Sequence, residues 1–508
     1  MARVTEQKQD EKPADDAKAA DKATDQKPGE KPKEPTDDLV STRHELRVGR
    51  RTLAYTATAG RMVLHDEVYE DGTFKGYKPK AEVSIIAYVA DAPEGERRPV
   101  TFAFNGGPGS SSVWLHLGLL GPRRVLMGDV GNLLPPPYAL ADNAESLLAV
   151  SDLVFIDPVS TGYSRTLEDT KPEPFHGYQG DIESVGEIIR IWTSRNKRWM
   201  SPKFVAGESY GTTRGAALAE HLQTRHGMFL NGLMLISSVL DFSTIDFQDQ
   251  RNDKAHALYL PTYAAIAHYH GKGAKRSLRA TLKDAEEYAS GEYQRVLARG
   301  DRLTAKERAA AVRKIASLTG LTEEYVDRAD LRIEHWRFFG ELLRDERRTA
   351  GRLDGRFSGP AASAIAEHMD ADPSHDAISG PYAAAFNHYV RDELEYANDL
   401  PYEQISRRVQ PWSYKDFEGR PVDVTPKLER AMRQNPHLKV HVAYGYYDGA
   451  TPHFAAEDVF AHLRIPEELR ANIEHRYYEA GHMMYVHEPS RLQQSKDLAD
   501  FVTRAARG

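Results

Sequence analysis

The 508-residue sequence contains no cysteine. This absence excludes thiolate nucleophiles, cysteine-ligated zinc and iron–sulfur centres, and it leaves the redox compartment open because a disulfide-free protein is stable in either. Long apolar runs are also missing, since no stretch reaches the roughly 18 consecutive apolar residues of a membrane span. We therefore expect no membrane-spanning segment, and catalysis would depend on serine, histidine, aspartate, glutamate or a cofactor.

The chain has no large excess of either charge, with 67 basic and 75 acidic side chains and a net charge of −8. A mildly acidic balance provides no long-range attraction to nucleic acid or anionic lipid, so we expect neither a nucleic-acid nor a membrane partner. The first residues lack a basic segment followed by an apolar one, the pattern of a signal peptide, which favours a cytoplasmic protein. Nothing in the sequence indicates the oligomeric state.

The first 40 residues differ in composition from the rest. They contain 8 basic and 11 acidic side chains, four prolines and no aromatic residue. This is too little apolar surface to offset the entropy lost on ordering. We predict a disordered charged tail over residues 1–40, with a docking arm as the alternative.

The next part of the chain has the pattern of an α/β sheet. Alternating residues over 41–91 predict antiparallel strands and a hairpin at the edge of a sheet. Short apolar runs that end in polar loops then predict buried parallel strands at residues 100–104, 153–156, 204–206, 233–236, 440–444 and 475–478. Helical segments at 181–193 and 214–223 separate several of these runs, as in α/β proteins.

A charged, alanine-rich helical stretch interrupts this pattern. It includes a helix with a capping box at Thr304 and a closing Gly320. We therefore predict a sheet domain in two parts, residues 41–245 and 405–508, with a helical cap insertion over 246–404.

A sharp strand-to-helix turn is predicted at residues 207–211, which read Gly-Glu-Ser-Tyr-Gly. This is the context of a nucleophile elbow, in which small flanking residues let the chain turn and expose the serine hydroxyl. Ser209 is the candidate nucleophile, and the following helix N-terminus favours developing negative charge.

A serine hydroxyl needs a base oriented by a carboxylate before it becomes a good nucleophile. Asp448 and His482 each follow a strand-like run near the end of the chain. The order Ser209, Asp448, His482 is that of α/β-hydrolases and differs from the other serine-protease folds.

The third element is a glycine-rich loop, Asn-Gly-Gly-Pro-Gly-Ser-Ser-Ser, at residues 105–112. Acyl transfer needs two backbone N–H groups aimed at the developing oxyanion, and Gly107 and Tyr210 would supply them. Phosphate binding is the alternative for such a loop, but the lysine that a P-loop requires does not follow.

Four ordered motifs resemble those of the serine carboxypeptidases, peptidase family S10, in a bacterial-type member. They lie at residues 105–112, 207–211, 445–448 and 481–483, and the resemblance spans about residues 75–490. It implies an α/β-hydrolase fold with a helical cap, and removal of C-terminal residues from peptides. It also implies that Asn105 and Glu208 bind the substrate's terminal carboxylate, with Glu208 protonated under acidic conditions. Histidine pairs such as His268 and His270 lack the acidic spacing of a zinc helix, so we expect no metal site.

The sequence departs from the family pattern at one position that matters for recognition. The family's second glutamate, which pairs with the one in the elbow, is replaced by Leu119. Arg165 or Arg214 could take over recognition of the carboxylate, because a guanidinium binds a carboxylate in a bidentate manner.

We predict a soluble, cofactor-independent serine hydrolase whose triad is Ser209, Asp448 and His482. The first-choice substrate is a peptide with a free C-terminal carboxylate. An esterase or acyltransferase on the same triad, and a catalytically silent peptide-binding relative, are the alternatives.

Overall fold

The computed structural model of the protein describes residues 35–93, 95–128, 130 and 134–507. Within these residues, the strands are β1 (Asp38–Val48), β2 (Arg51–Glu70), β3 (Thr73–Ala90), β4 (Val100–Phe104), β5 (Arg123–Val125), β6 (Leu140–Asp142), β7 (Asp152–Ile156), β8 (Arg165–Thr166), β9 (Lys203–Glu208), β10 (Gly232–Ile236), β11 (Arg348–Ala350), β12 (Ser358–Pro360), β13 (Lys439–Gly445) and β14 (Ile473–Tyr478). The α-helices are α1 (Val113–Leu115), α2 (Tyr178–Arg195), α3 (Tyr210–His226), α4 (Asp253–Tyr269), α5 (Leu278–Ser290), α6 (Glu292–Arg299), α7 (Ala305–Thr319), α8 (Glu323–Arg328), α9 (His335–Glu341), α10 (Pro373–His388), α11 (Thr425–Gln434), α12 (His453–Ala461), α13 (Glu467–Arg470) and α14 (Glu488–Ala505).

A ten-stranded sheet forms the centre of the described structure. Its order is β1-β2-β3-β7-β4-β9-β10-β13-β14, and β8 pairs with β3 beside this path. The strands from β7 to β14 in this order pair in parallel, whereas β1, β2 and β3 form an antiparallel edge. All six predicted parallel strands and the predicted edge hairpin are therefore confirmed.

The parallel strands are buried on both faces because helices cover the sheet from both sides. Along β4, Phe102 and Phe104 face an apolar cluster that contains residues of α2 and α3. Ala103, between them, faces a second cluster that contains residues of α14. This alternation follows from the two-residue period of a strand. The prediction of an α/β-hydrolase fold with a helical insertion is confirmed.

The helical insertion has two parts that pack differently. Helices from α4 to α9 contribute to an apolar cluster of their own, and Tyr447 from the sheet domain joins it. Helix α10 instead packs in the cluster on one face of the sheet, through Ile378, Tyr382 and Phe386. The predicted borders of the insertion, residues 246 and 404, stay a prediction.

The predicted signals at the ends of α7 are both present. Thr304 forms the capping box with Glu307, and Gly320 ends the helix at a φ of +70°. The predicted tail is too long at its C-terminal end. Residues 38–40 belong to β1, because they pair with β2 from Ala59 to Arg61. Residues 1–34 of that tail lie outside the described residues.

The described residues contain neither a candidate membrane span nor a candidate metal site. None of their helices combines the length and the apolar character that crossing a membrane would require. Likewise, in this part of the chain no group of three or more histidine, aspartate or glutamate side chains is arranged to hold a metal ion.

A buried ion pair joins the two helices that flank the elbow to the loop after β4. Arg214 Nε donates to Asp181 Oδ2 at 2.8 Å, and both side chains are 1% exposed. Arg214 Nη1 also donates to the carbonyl oxygen of Asn105 at 2.7 Å. Both charges are buried away from water. Removing either residue alone therefore leaves the other charge without compensation and destabilises the fold.

We expect Arg214→Met to lower the free energy of unfolding by about 3–5 kcal/mol, because it leaves the Asp181 carboxylate buried without its partner. The double variant with Asp181→Leu should recover most of this loss. Urea unfolding followed by circular dichroism measures both effects.

Arg190→Met is the matched control, because it removes a partly exposed pair with Glu187 on α2. Its effect should stay below about 1 kcal/mol. Equal losses in Arg190→Met and Arg214→Met would contradict the role of the buried pair.

Candidate active site

The predicted site residues lie at one edge of the sheet, where four parallel strands end. Asn105 follows β4, Ser209 follows β9, Asp448 lies shortly after β13 and His482 shortly after β14. Neighbouring parallel strands deliver the residues after their carboxyl ends to the same edge, which is the usual ligand-binding edge of such sheets.

Ser209 occupies a strained turn between β9 and α3. Its φ is +60° and its ψ −129°, a backbone conformation that non-glycine residues rarely adopt and that is often found at functional sites. A Cβ at Gly207 would collide with the carbonyl oxygen of Gly211, and one at Gly211 would lie 2.9 Å from the carbonyl oxygen of Phe104. Glycine at both positions is therefore required for the turn, and Ser209 itself is half-buried.

His482 is held by a buried carboxylate. Its Nδ1 lies 2.8 Å from Asp448 Oδ2. Asp448 Oδ1 accepts from the backbone N–H groups of Ala450 and Thr451, and the Thr451 hydroxyl donates to Oδ2 at 2.8 Å. The hydrogen bond to Asp448 assigns the proton of neutral His482 to Nδ1, so that Nε2 can act as a base.

The charge state of His482 is set by competing effects. Burial disfavours the imidazolium, but the charge and hydrogen bond of Asp448, followed by the charge of Glu208, raise the pKa of His482 above its ordinary value. Within the described residues, neither the Ser209 hydroxyl nor His482 Nε2 makes a hydrogen bond. Ser209 and His482 are therefore not hydrogen-bonded to each other in this structure. In enzymes such a bond often forms or shortens only when substrate binds.

Two backbone N–H groups are available next to Ser209. In the part of the chain that the structure describes, the N–H groups of Gly107 and Tyr210 have no hydrogen-bond acceptor. A Cβ at Gly106 would collide with the Tyr210 nitrogen and lie 2.7 Å from the carbonyl oxygen of Glu208. The glycine-rich loop therefore lies directly against the elbow, and the arrangement can stabilise an oxyanion.

Glu208 is a buried acid next to Ser209, the candidate nucleophile. Asn105 Nδ2 donates to Glu208 Oε1 at 2.8 Å, and Asn105 Oδ1 accepts from the Leu115 N–H, which fixes the amide orientation. Burial raises the pKa of Glu208 to about 7, although the charge of His482 opposes this. The second carboxylate oxygen is buried and has no partner among the described residues. Leu119, where the family has glutamate, is buried in the apolar core.

Tyr485 is a neighbour of Glu208 that the sequence patterns did not single out. Its ring packs so closely on Gly118 that a Cβ there would collide with it. Burial, and after it the charge of Glu208, raises the pKa of Tyr485. Its hydroxyl is buried without a partner in the described structure. Tyr485 lies three residues after His482 in the sequence, and this proximity is the only feature that could have indicated it, since it belongs to no motif.

Residues 351–356, here called the brace, connect the insertion to the loops that carry His482 and Asp448. The Leu353 carbonyl accepts from the His482 N–H at 2.6 Å, and the Asp354 carboxylate accepts from the Gly481 N–H at 3.2 Å. Arg356 pairs with Asp354 at 2.6 Å. Sequence reasoning missed the brace because it lies about a hundred residues from either catalytic loop.

Neither arginine considered for carboxylate recognition has a free guanidinium. Arg214 is already bonded to Asp181 and to the Asn105 carbonyl. Arg165 donates to three backbone carbonyls, those of residues 162, 164 and 401. Their hydrogen bonds give both side chains a structural role.

Comparisons with known proteins show the family of this chain. Residues 86–494 match the family described as serine carboxypeptidase. The protein "Serine carboxypeptidase-like 36" from Arabidopsis thaliana is 29% identical over 174 residues, covering 32% of this chain and 34% of that protein. The matched part thus spans about a third of that relative's length.

The fold is similar to that of a yeast enzyme. The crystal structure of KEX1(delta)p, a prohormone-processing carboxypeptidase from Saccharomyces cerevisiae, superposes with a TM-score of 0.56 at 15% identity, covering 89% of this chain and 91% of that one. Because the family match extends over most of its length, the chain belongs to the serine carboxypeptidase family.

Proposed function

We propose that this protein is a serine carboxypeptidase that removes C-terminal residues from peptides through an acyl-enzyme on Ser209. The observation that carries the proposal is Glu208, a buried acid hydrogen-bonded to Asn105 and adjacent in sequence to the nucleophile. Hydrolysis of an ester requires no such acid. A carboxyl group can bind a terminal carboxylate only when one of the two carries a proton, and the raised pKa of Glu208 favours its protonated form.

In the proposed reaction His482 Nε2 takes the proton from Ser209 as its oxygen attacks the carbonyl carbon of the last peptide bond. Asp448 orients His482 and stabilises the imidazolium that forms. The N–H groups of Gly107 and Tyr210 donate to the oxyanion. His482 then gives its proton to the leaving amine, and water repeats the sequence to release the shortened peptide from Ser209.

In the proposed recognition, neutral Glu208 donates a hydrogen bond to the terminal carboxylate of the peptide. The pKa of about 7 lets Glu208 keep its proton closer to neutral pH than an ordinary glutamate does. Burial supplies this shift without a second carboxyl group, since Leu119 occupies the place of the family's other glutamate. Asn105 fixes the orientation of Glu208 through the 2.8 Å hydrogen bond.

The reaction can be tested with one peptide, supplied with a free C-terminus and as the amide. We expect mass spectrometry to show stepwise loss of C-terminal residues from the free acid, with little or none from the amide. Ser209→Ala should abolish shortening, because it removes the attacking oxygen.

The outcomes separate the alternatives. Labelling by a fluorophosphonate without shortening of either peptide would indicate an esterase or acyltransferase. Absence of both labelling and shortening would indicate a silent peptide-binding protein. Shortening that persists in Ser209→Ala would contradict the assignment of the nucleophile.

The pH dependence tests the role of Glu208. Because its pKa is raised to about 7, Glu208 is protonated below this pH and ionised above it. We expect kcat/KM for free-acid peptides to fall up to tenfold per pH unit above about 7, as the ionised Glu208 repels the substrate carboxylate. Glu208→Gln stays neutral and should flatten this alkaline fall.

Glu183→Gln, an exposed position on α2, is the matched control and should keep the wild-type profile. An alkaline fall that is unchanged in Glu208→Gln would mean that another group controls binding at high pH.

A further inference from the structure

Arg352, in the brace, has a charged side chain that nothing in the described structure pairs with. Its Nε is buried without a hydrogen-bond partner, and its guanidinium forms no ion pair with a described residue. The contact it does make is with the ring of Trp336, whose centroid lies 5.2 Å from the guanidinium carbon. Trp336 is itself 38% exposed, so this part of the insertion remains open to solvent.

The backbone of Arg352 is fixed next to the catalytic loops. Its carbonyl accepts from the N–H of Gly449, the residue after Asp448, at 3.0 Å. The carbonyl of the following Leu353 accepts from the N–H of His482. The Arg352 charge is among the effects that lower the pKa of His482. Arg352 therefore lies within electrostatic reach of the reacting histidine.

The carboxylate bonded to the backbone of Arg352 is already committed. Asp372 accepts from the backbone N–H groups of Arg352 at 3.0 Å and Leu353 at 3.1 Å. It also bonds to the backbone and hydroxyl of Ser374. Asp372 thus holds the turn of the brace and makes no ion pair with the guanidinium of Arg352.

Two other arginines, both buried, have their own partners, which makes Arg352 different from them. Arg356, four residues later, pairs with Asp354 and donates to the Glu479 carbonyl. Arg491, in α14, pairs with Glu145 and Glu488. A partly desolvated guanidinium without an acceptor is unfavourable, and a planar carboxylate would satisfy it through two parallel hydrogen bonds.

We propose that Arg352 binds a carboxylate of the peptide substrate and is a second acid-recognition residue besides the Asn105–Glu208 pair. This inference rests on the proposed function, because it assigns the ligand to a peptide. The carboxylate has two possible sources, an acidic side chain near the scissile bond and the terminal carboxylate itself. Asn105 and Glu208 are already assigned to the terminal carboxylate of the peptide. We therefore favour an acidic side chain as the carboxylate that binds Arg352.

The test uses free-acid peptides in two pairs and measures kcat/KM. One pair differs by glutamate or glutamine at the last position, and the other pair differs in the same way at the penultimate position. Wild-type protein is compared with Arg352→Gln, with Arg352→Lys, and with Arg337→Gln. Arg337 lies on α9 beside Trp336 and pairs with Glu367, so its variant is the matched control.

If Arg352 binds an acidic side chain, we expect kcat/KM of wild-type protein to be about 10- to 100-fold higher for the glutamate peptide than for the glutamine peptide in one of the two pairs. This ratio corresponds to the free energy of a hydrogen bond between charged groups. Arg352→Gln should remove this preference, and it should change kcat/KM for the glutamine peptides by no more than it changes the rate of Ser209 labelling. Arg352→Lys should keep part of the preference, because lysine has the charge without the bidentate geometry. For the terminal carboxylate, Arg352→Gln should lower kcat/KM equally for every free-acid peptide.

The rate of labelling of Ser209 by a neutral fluorophosphonate separates binding from damage to the triad. Measured above the pKa of His482, where this histidine is neutral with or without the Arg352 charge, it should be the same in wild-type protein and Arg352→Gln. A matching loss of labelling would overturn the proposal, since Arg352 would then act through His482. Behaviour of Arg352→Gln identical to that of Arg337→Gln on all peptides would overturn it as well.

Failure of the proposed function is recognised separately. If wild-type protein shortens no peptide, calorimetric titration of Ser209→Ala with the glutamate and glutamine peptides still tests Arg352. Weaker binding of the glutamate peptide when Arg352→Gln is added would support carboxylate binding without hydrolysis. Equal binding with and without Arg352→Gln would refute it.

Discussion

The site depends on a contact between two stretches of backbone that leaves no room for side chains. The loop after β4 and the elbow after β9 approach so closely that a Cβ at Gly106 or Gly211 would meet backbone atoms of the other segment. This contact places the loop that carries Gly107 against the elbow that carries Tyr210. It also brings Asn105 within 2.8 Å of Glu208. The oxyanion donors and the buried acid are therefore consequences of one packing constraint.

The helical insertion does more than cover the sheet. Through the brace it supplies hydrogen-bond partners to the loops that carry Asp448 and His482, including the Leu353 carbonyl for the His482 N–H. Groups that orient catalytic residues in this way limit their motion before substrate binds. The same segment carries Arg352, so any shift of the insertion would change both the position of His482 and the charge near it.

Glu208 and His482 are coupled titrating groups. The charge of each favours the charged form of the other, while burial disfavours both charged forms. Burial is the larger effect on Glu208, and its pKa rises to about 7. Burial is also the largest single effect on His482, but the charge and hydrogen bond of Asp448 together with the charge of Glu208 outweigh it, and the pKa of His482 rises. The fold thus gives an acid and a base different environments, with the buried Tyr485 near Glu208 and a bonded carboxylate beside His482.

The sequence by itself determined the sheet and the order of the candidate catalytic residues along it. Apolar runs bounded by glycine and polar residues have few alternatives to buried strands, and local motifs such as residues 105–112 and 207–211 fix their own backbone through glycine. Only the tertiary structure decided the partners that are distant in the chain, namely the brace, Tyr485 beside Glu208, and the bonds that occupy Arg165 and Arg214 while leaving Arg352 free. A side chain's environment depends on which surfaces pack against it, and local patterns carry no record of that packing.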